Sequence, residues 1–167
     1  MRKLITIIAI FSFVFASGQS DPKFYEMLKT LYKNTVPQIK VTELNDLINN
    51  KADIVILDSR EPKEYEVSHI ANSIFVGYNK LELSKISTIK KDAKIIVYCS
   101  VGYRSERIGE KLLNAGYTNV LNLYGGIFEW VNNGFPVVDM KNNQTQNIHA
   151  YDKEWGKWLI KGVKKYD

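Results

Sequence analysis

Four short runs of β-branched and apolar residues punctuate this chain: Asp53-Ile-Val-Ile-Leu-Asp58, Ser73-Ile-Phe-Val76, Ile95-Ile-Val-Tyr98 and Asn119-Val-Leu-Asn-Leu123. The segments between them have helical spacing or turn composition. A nearly continuous apolar run suits a strand covered on both faces, and strands alternating with helices predict an α/β fold with a mostly parallel central sheet. In open sheets of that kind, sites form beyond the carboxyl ends of the strands. The chain's single cysteine, Cys99, stands at one such end.

The helical segments read from their caps and spacing. Asp21-Pro22 is a good helix start, and Phe24, Met27, Leu28, Leu31 and Tyr32 recur at helical intervals over residues 22–34. Pro37 closes this N-terminal segment, 22–37. Thr42 can cap a second short helix carrying Leu44, Leu47 and Ile48. Arg60 to Glu66 reads as a helical turn, and residues 80–89 read as a helix. Glu106 to Ala115 is a helix stopped by Gly116, and Gly125-Gly126 leads into a last one closed by Gly134 and Pro136. Beyond residue 138 comes a C-terminal extension, 139–167, polar at first. In it Tyr151, Trp155, Trp158, Leu159 and Val163 form a stripe that predicts an amphipathic helix, with lysines elsewhere. Docking on its own domain against the N-terminal helix is the expected fate of that stripe. A cationic helix for a membrane or partner is the competing one.

Residues 1–18 have the layout of a secretory signal peptide: a cationic start, an apolar run from Leu4 to Ala16, then small residues. The run is shorter than the roughly 20 residues a spanning helix needs, so removal is expected, leaving an exported protein, periplasmic or secreted, with no stable membrane span. Without Arg2 and Lys3 the chain carries 21 basic and 18 acidic residues, a net charge of +3, too mild to indicate nucleic acid. One cysteine cannot form an internal disulfide, so Cys99 is either an inert core residue or a reactive thiol. His69 and His149 lie far apart and give no metal-ligand spacing, and no cofactor motif is present; neither metal nor cofactor is expected.

The loop Cys99-Ser100-Val101-Gly102-Tyr103-Arg104-Ser105 has the composition of an anion cradle. A helix N-terminus offers unpaired N–H groups and the positive end of its dipole, and a curved loop adds more inward N–H groups. Gly102 permits the positive φ that such curvature needs. Arg104 supplies a fixed cation, and Ser105 reads as the helix N-cap.

This loop resembles the active loop of the rhodanese-like sulfurtransferases, and two flanking stretches resemble that family as well. They are Leu57-Asp58-Ser59-Arg60-Glu61-Pro62 running on to His69-Ile70, and Leu123-Tyr124-Gly125-Gly126 running on to Gly134-Phe135-Pro136. The resemblance covers residues 38–138. It implies a five-stranded parallel central sheet flanked by helices on both faces, with Cys99 as the catalytic nucleophile. It also implies a Cys99 persulfide, which takes sulfane sulfur from a small anionic donor such as thiosulfate and passes it to cyanide, a thiol or a protein acceptor. Residues 100–105 would bind substrate, with Asp58 and Arg60 in support. Two positions depart from the common pattern: Ser100 stands where thiosulfate users often have a basic residue, and Asn72 where glycine is common. A phosphatase of the same fold would carry five residues between cysteine and arginine, and here there are four. A non-catalytic module, or a sulfur relay to a dedicated partner through the C-terminal helix, is the remaining alternative.

Overall fold

The computed structural model describes residues 20–166, so the proposed signal segment, 1–18, lies outside the described residues. The chain begins with α1 (Pro22–Leu31), followed by β1 (Gln38–Ile39), α2 (Val41–Asn49), β2 (Ile54–Asp58), α3 (Pro62–Val67) and β3 (Ile74–Phe75). Then come β4 (Lys94–Tyr98), α4 (Tyr103–Asn114), β5 (Val120–Leu123) and α5 (Gly126–Asn132). The strands form one five-stranded sheet in the order β1-β5-β4-β2-β3, parallel throughout. Four of these strands are the four apolar runs. The fifth, β1, has two residues, too few to show a pattern in the sequence.

Side chains of β4 alternate between two cores. Ile96 and Tyr98 pack with Phe24 and Leu28 of α1, Leu44 of α2 and Phe128 of α5, whereas Ile95 and Val97 pack with Ile108 and Leu112 of α4. Helices therefore cover both faces, which is why the central strands read as uninterrupted apolar runs. Each of these fully buried aliphatic side chains contributes about 2 kcal/mol. Among the described residues, no helix is long and apolar enough to cross a membrane.

Four local expectations are corrected. The first helix stops at Leu31 instead of running to residue 34, because Tyr32 turns to extended backbone (φ −85°, ψ 144°) and carries its ring inward. The second helix starts at Val41, so Thr42 already lies within its first turn and does not cap it; the Glu43 carboxylate accepts from the Lys40 N–H at 2.9 Å. Residues 80–89 hold only a 3₁₀ turn, Leu83–Ile86, pinned where Ile86 is buried and its carbonyl accepts from the Tyr117 hydroxyl. Serine and threonine crowd this stretch and compete with helical hydrogen bonds. The helix after the cysteine starts at Tyr103, with Gly102 as its left-handed N-cap (φ +97°), and Ser105 sits inside the first turn.

The expected C-terminal helix shrinks to α6 (Lys153–Gly156), placed after the β-hairpin strands β6 (Val137–Val138) and β7 (Gln144–Thr145) and after β8 (Asn147–His149). Gly162, at φ +85°, then turns the chain into β9 (Val163–Lys165), which pairs in parallel with β8. The apolar stripe docks in part, through Trp155, Trp158 and Leu159, while Tyr151 and Val163 stay exposed. Leu159 is fully buried, and Trp158 packs its ring 5.7 Å from that of Phe24 in α1. Asn132 locks the arrangement: its Nδ2 donates to the Trp158 carbonyl, and its Oδ1 accepts from the Ile160 N–H, both at 2.8 Å. The extension thus docks against the N-terminal helix as expected, although not as a helix, and a long cationic helix for a partner does not form.

Candidate active site

Strand β4, flanked in the sheet by β2 and β5, delivers Cys99 to the centre of the sheet's carboxyl edge. The carbonyls of Cys99 and Ser100 turn away from the thiol and accept the N–H groups of Ile127 and Phe128, at 2.9 and 3.1 Å. That close approach requires glycine. A Cβ on Gly126 would stand 2.3 Å from the Cys99 carbonyl oxygen. With its carbonyls engaged behind it, the loop presents donors to the sulfur: Gly102 N–H at 3.1 Å and the Ser105 hydroxyl at 3.6 Å. The sulfur also faces the N-terminus of the twelve-residue α4, which favours negative charge there.

Three residues that the sequence reading did not place in the site hold this loop. Asn122 of β5 ties the middle of the loop to its far end, with Nδ2 donating to the Gly102 carbonyl at 3.0 Å and Oδ1 accepting from Ser105 at 2.7 Å. Tyr32 reaches in from the end of α1. Its hydroxyl donates to the Val101 carbonyl at 2.5 Å and accepts from the Gly125 N–H at 3.0 Å, joining the cysteine loop to the turn before α5. Burial pushes the Tyr32 phenol well above its usual range, so it stays a neutral donor.

Glu64 of α3 is the third, and it alters the electrostatics most. Arg104 Nη1 and Nη2 each lie 2.7 Å from one of its oxygens, and Ser100 Oγ donates to it at 2.8 Å. The carboxylate is fully buried. Burial alone would raise its pKa, but the Arg104 hydrogen bonds and charge, aided by Arg60 and the Glu61 N–H, hold it down at about 2. Arg104 is therefore fixed as the sequence suggested, but as one arm of a charge pair whose other arm, Glu64, the sequence did not indicate. Ser100, where a basic residue could have stood, is part of the same network.

Asp58 and Arg60 form a second buried pair behind the loop. Arg60 Nε and Nη2 donate to the Asp58 carboxylate, Nη2 also donates to the Ser68 carbonyl at 2.6 Å, and the guanidinium lies 5.6 Å from the centre of the Tyr98 ring. The pair braces the ends of β2 and β4 and does not touch the sulfur. His69 stacks on Tyr65 at 3.9 Å, and its Nδ1 lies 3.1 Å from the Tyr65 carbonyl. Asn72 does adopt the left-handed backbone (φ +62°) that its position suggested. Cys99 itself is 1 % exposed. It lies at the floor of a mouth of about 270 Å³ walled by Tyr78, Tyr103, Tyr151 and Trp155.

Comparison with known proteins agrees with this architecture. Residues 40–133 match the family described as the Rhodanese-like domain. A sulfurtransferase of Allochromatium vinosum is 31 % identical over 103 residues, covering 62 % of this chain and 95 % of that protein. A thiosulfate sulfurtransferase of Coxiella burnetii is 34 % identical over 93 residues, covering 56 % of this chain and 85 % of its own length. A tRNA uridine(34) hydroxylase of Hamiltonella defensa is 33 % identical over 103 residues, covering 59 % of this chain but only 29 % of that protein. Among solved structures, a rhodanese-related protein of Thermoplasma volcanium superposes with a TM-score of 0.53 at 35 % identity, covering 61 % of this chain and 97 % of its own.

Proposed function

The chain belongs to the rhodanese-like family, and on that premise we propose that it is a sulfurtransferase that carries sulfane sulfur on Cys99. The observation that carries this reading is the sulfur's position: at the N-terminus of α4, 3.1 Å from the Gly102 N–H, in a loop whose carbonyls are engaged elsewhere. Negative charge on that sulfur is stabilised whether it sits on a thiolate or on a persulfide. With thiosulfate as donor, the Cys99 thiolate attacks the outer sulfur and the S–S bond of the donor breaks. Sulfite leaves with the electron pair, and Cys99 keeps the transferred atom as Cys–S–S⁻. A thiolate or cyanide acceptor then attacks that outer sulfur and regenerates the Cys99 thiolate. The N–H groups at the start of α4, with Ser105, hold the anion between the two steps. No metal or cofactor takes part in this chemistry.

A phosphatase reading fits less well. The loop has four residues between Cys99 and Arg104. Arg104 is also turned onto Glu64, whereas phosphoryl chemistry needs it facing the anion. Hydroxylase activity in the tRNA-modifying relatives belongs to proteins of which this chain matches less than a third.

The test is sulfur transfer by wild type and Cys99→Ser in parallel. Wild-type protein treated with thiosulfate should gain one sulfur atom by intact mass and release thiocyanate on adding cyanide, and Cys99→Ser should do neither. If no donor loads Cys99, the reading is wrong, and turnover of an aryl phosphate would move the phosphatase ahead. Export through residues 1–18 belongs to the same proposal, and N-terminal sequencing of the protein recovered outside the cytoplasm checks it.

A further inference from the structure

The mouth above Cys99 has an unusual charge balance for a site that handles small anions. Among the described residues that line it, Arg104 alone carries a charge, and both of its terminal nitrogens are already held by Glu64. The remaining wall is aromatic. Tyr78 follows β3, Tyr103 opens α4, and Tyr151 and Trp155 come from the C-terminal segment. A bare inorganic dianion meets no unpaired cation there, whereas an apolar ring meets contact on several sides. The space suffices: a cavity of about 150 Å³ admits a benzene ring, and this mouth measures about 270 Å³.

Tyr151 is placed there against its backbone preference. Its φ of +67° is left-handed, a conformation disfavoured for residues with a Cβ. Its N–H donates to His149 Nδ1 at 3.0 Å, and the preceding buried Ala150 donates to the Lys165 carbonyl of β9 at 2.8 Å. The ring is thereby set 5.1 Å from the Arg104 guanidinium, which lies between it and Glu64. Backbone strain held at the rim of a site by surrounding structure is a mark of use. Both aromatic residues lie outside residues 40–133, the part matched to the family, so this wall is additional to the shared domain.

We propose that Tyr151 and Trp155 select organic sulfane-sulfur donors, monoanions of the form R–SO₂–S⁻ with an apolar body R, over inorganic thiosulfate. This rests on the sulfurtransferase reading above and specifies its substrate class. The Cys99 thiolate attacks the terminal sulfur, a new S–S bond forms, and the bond to the sulfonyl sulfur breaks. The sulfinate R–SO₂⁻ leaves with the electron pair, so charge balances and no outside oxidant is needed. R rests against the rings while the terminal sulfur reaches down to Cys99.

The test uses full-length protein and two donors with the same reacting group, benzenethiosulfonate and methanethiosulfonate. Sulfur gain on Cys99 is followed by intact mass in single turnover, and each rate is divided by that donor's rate with a small free thiol. Wild type should favour the benzene donor by about tenfold, and Tyr151→Gly or Trp155→Ala should each cut that preference about fivefold. Tyr151→Gly suits the left-handed backbone, so it removes the ring without adding strain and keeps the test valid if Trp155→Ala fails to fold. A wild-type preference near one, or a preference that neither substitution changes, overturns the proposal and leaves sulfur transfer standing. No sulfur gain from either donor while thiosulfate still loads Cys99 also overturns the proposal alone, and no gain from thiosulfate either overturns both.

Discussion

Arg104 places its two terminal nitrogens 2.7 Å from the two oxygens of the buried Glu64 carboxylate, so loop and α3 share one charge pair. A dianionic donor approaching Cys99 feels Arg104 through this partner. Glu64→Gln removes the negative charge and keeps the shape. The expected result is a lower KM for thiosulfate, by roughly fivefold, which is about 1 kcal/mol, together with a steeper loss of activity as salt rises. Initial rates against thiosulfate at two ionic strengths measure both. An unchanged KM and salt slope would mean that the pair acts only as structure.

The same pair makes stability depend on acid. Glu64 titrates at about 2 in the folded protein, against an ordinary value of 4.5. Its folded pKa is depressed, so the unfolded chain binds more protons between those values. The stabilisation is complete above the ordinary value and is lost as pH falls toward the folded one. Linkage puts it at roughly 3 kcal/mol. Urea unfolding at steps from pH 5 down to pH 2 should show wild type losing stability with the steeper slope, and Glu64→Gln with a shallower one. Equal slopes would assign the acid sensitivity to other carboxylates.

The Tyr32 hydroxyl ties the Val101 carbonyl to the Gly125 N–H across two loops. Tyr32→Phe keeps the ring in the core and leaves both backbone groups buried without that partner, a loss of about 1–3 kcal/mol. The loosened loop should also lower kcat more than it raises KM. Gly102→Ala should be worse: a Cβ would meet Tyr32 Oη at 2.0 Å and Cζ at 2.7 Å, on a backbone already at φ +97°. Adding Tyr32→Phe to it relieves only the first contact, so the double variant should recover part of the loss. Melting temperatures of the four proteins complete the cycle.

Much of this was legible because burial on both faces writes itself into β2 and β4 as nearly uninterrupted apolar runs. The cysteine loop was legible for a different reason: a positive-φ glycine and a helix start must follow one another closely to cradle an anion. Glu64 was hidden because it lies among Arg60, Glu61, Lys63 and Glu66, where each charge reads as solvated and only the packing of α3 under the loop singles one out. Asn122 did leave a trace, as a polar residue within an otherwise apolar strand. The C-terminal stripe was misread because its spacing fits a helix while Gly156 packs against Ala150 and Gly162 turns the chain into a strand. Periodicity recorded that those residues are apolar on one side, not that Leu159 is buried while Tyr151 and Val163 stay exposed.

Ser105 has one hydrogen and two acceptors, Asn122 Oδ1 at 2.7 Å and Cys99 Sγ at 3.6 Å. While the sulfur is a neutral thiol, the shorter bond to Asn122 holds that hydrogen. Charge on the sulfur, as thiolate or persulfide, draws the hydroxyl toward it, because bonds to ionised acceptors are the stronger kind. Ser105 therefore acts on the thiolate and the persulfide and little on the neutral thiol. Ser105→Ala should slow persulfide formation about tenfold, the effect of roughly 1.4 kcal/mol, with KM for the donor nearly unchanged. Its melting temperature should fall as well, because the buried Asn122 Oδ1 loses its donor, a loss of about 1–3 kcal/mol, while Asn122 keeps its bond to the Gly102 carbonyl at 3.0 Å. Single-turnover mass spectrometry beside thermal melts separates the two effects. A large drop in melting temperature with an unchanged rate would make Ser105 a packing residue and leave Gly102 N–H as the sulfur's closer donor.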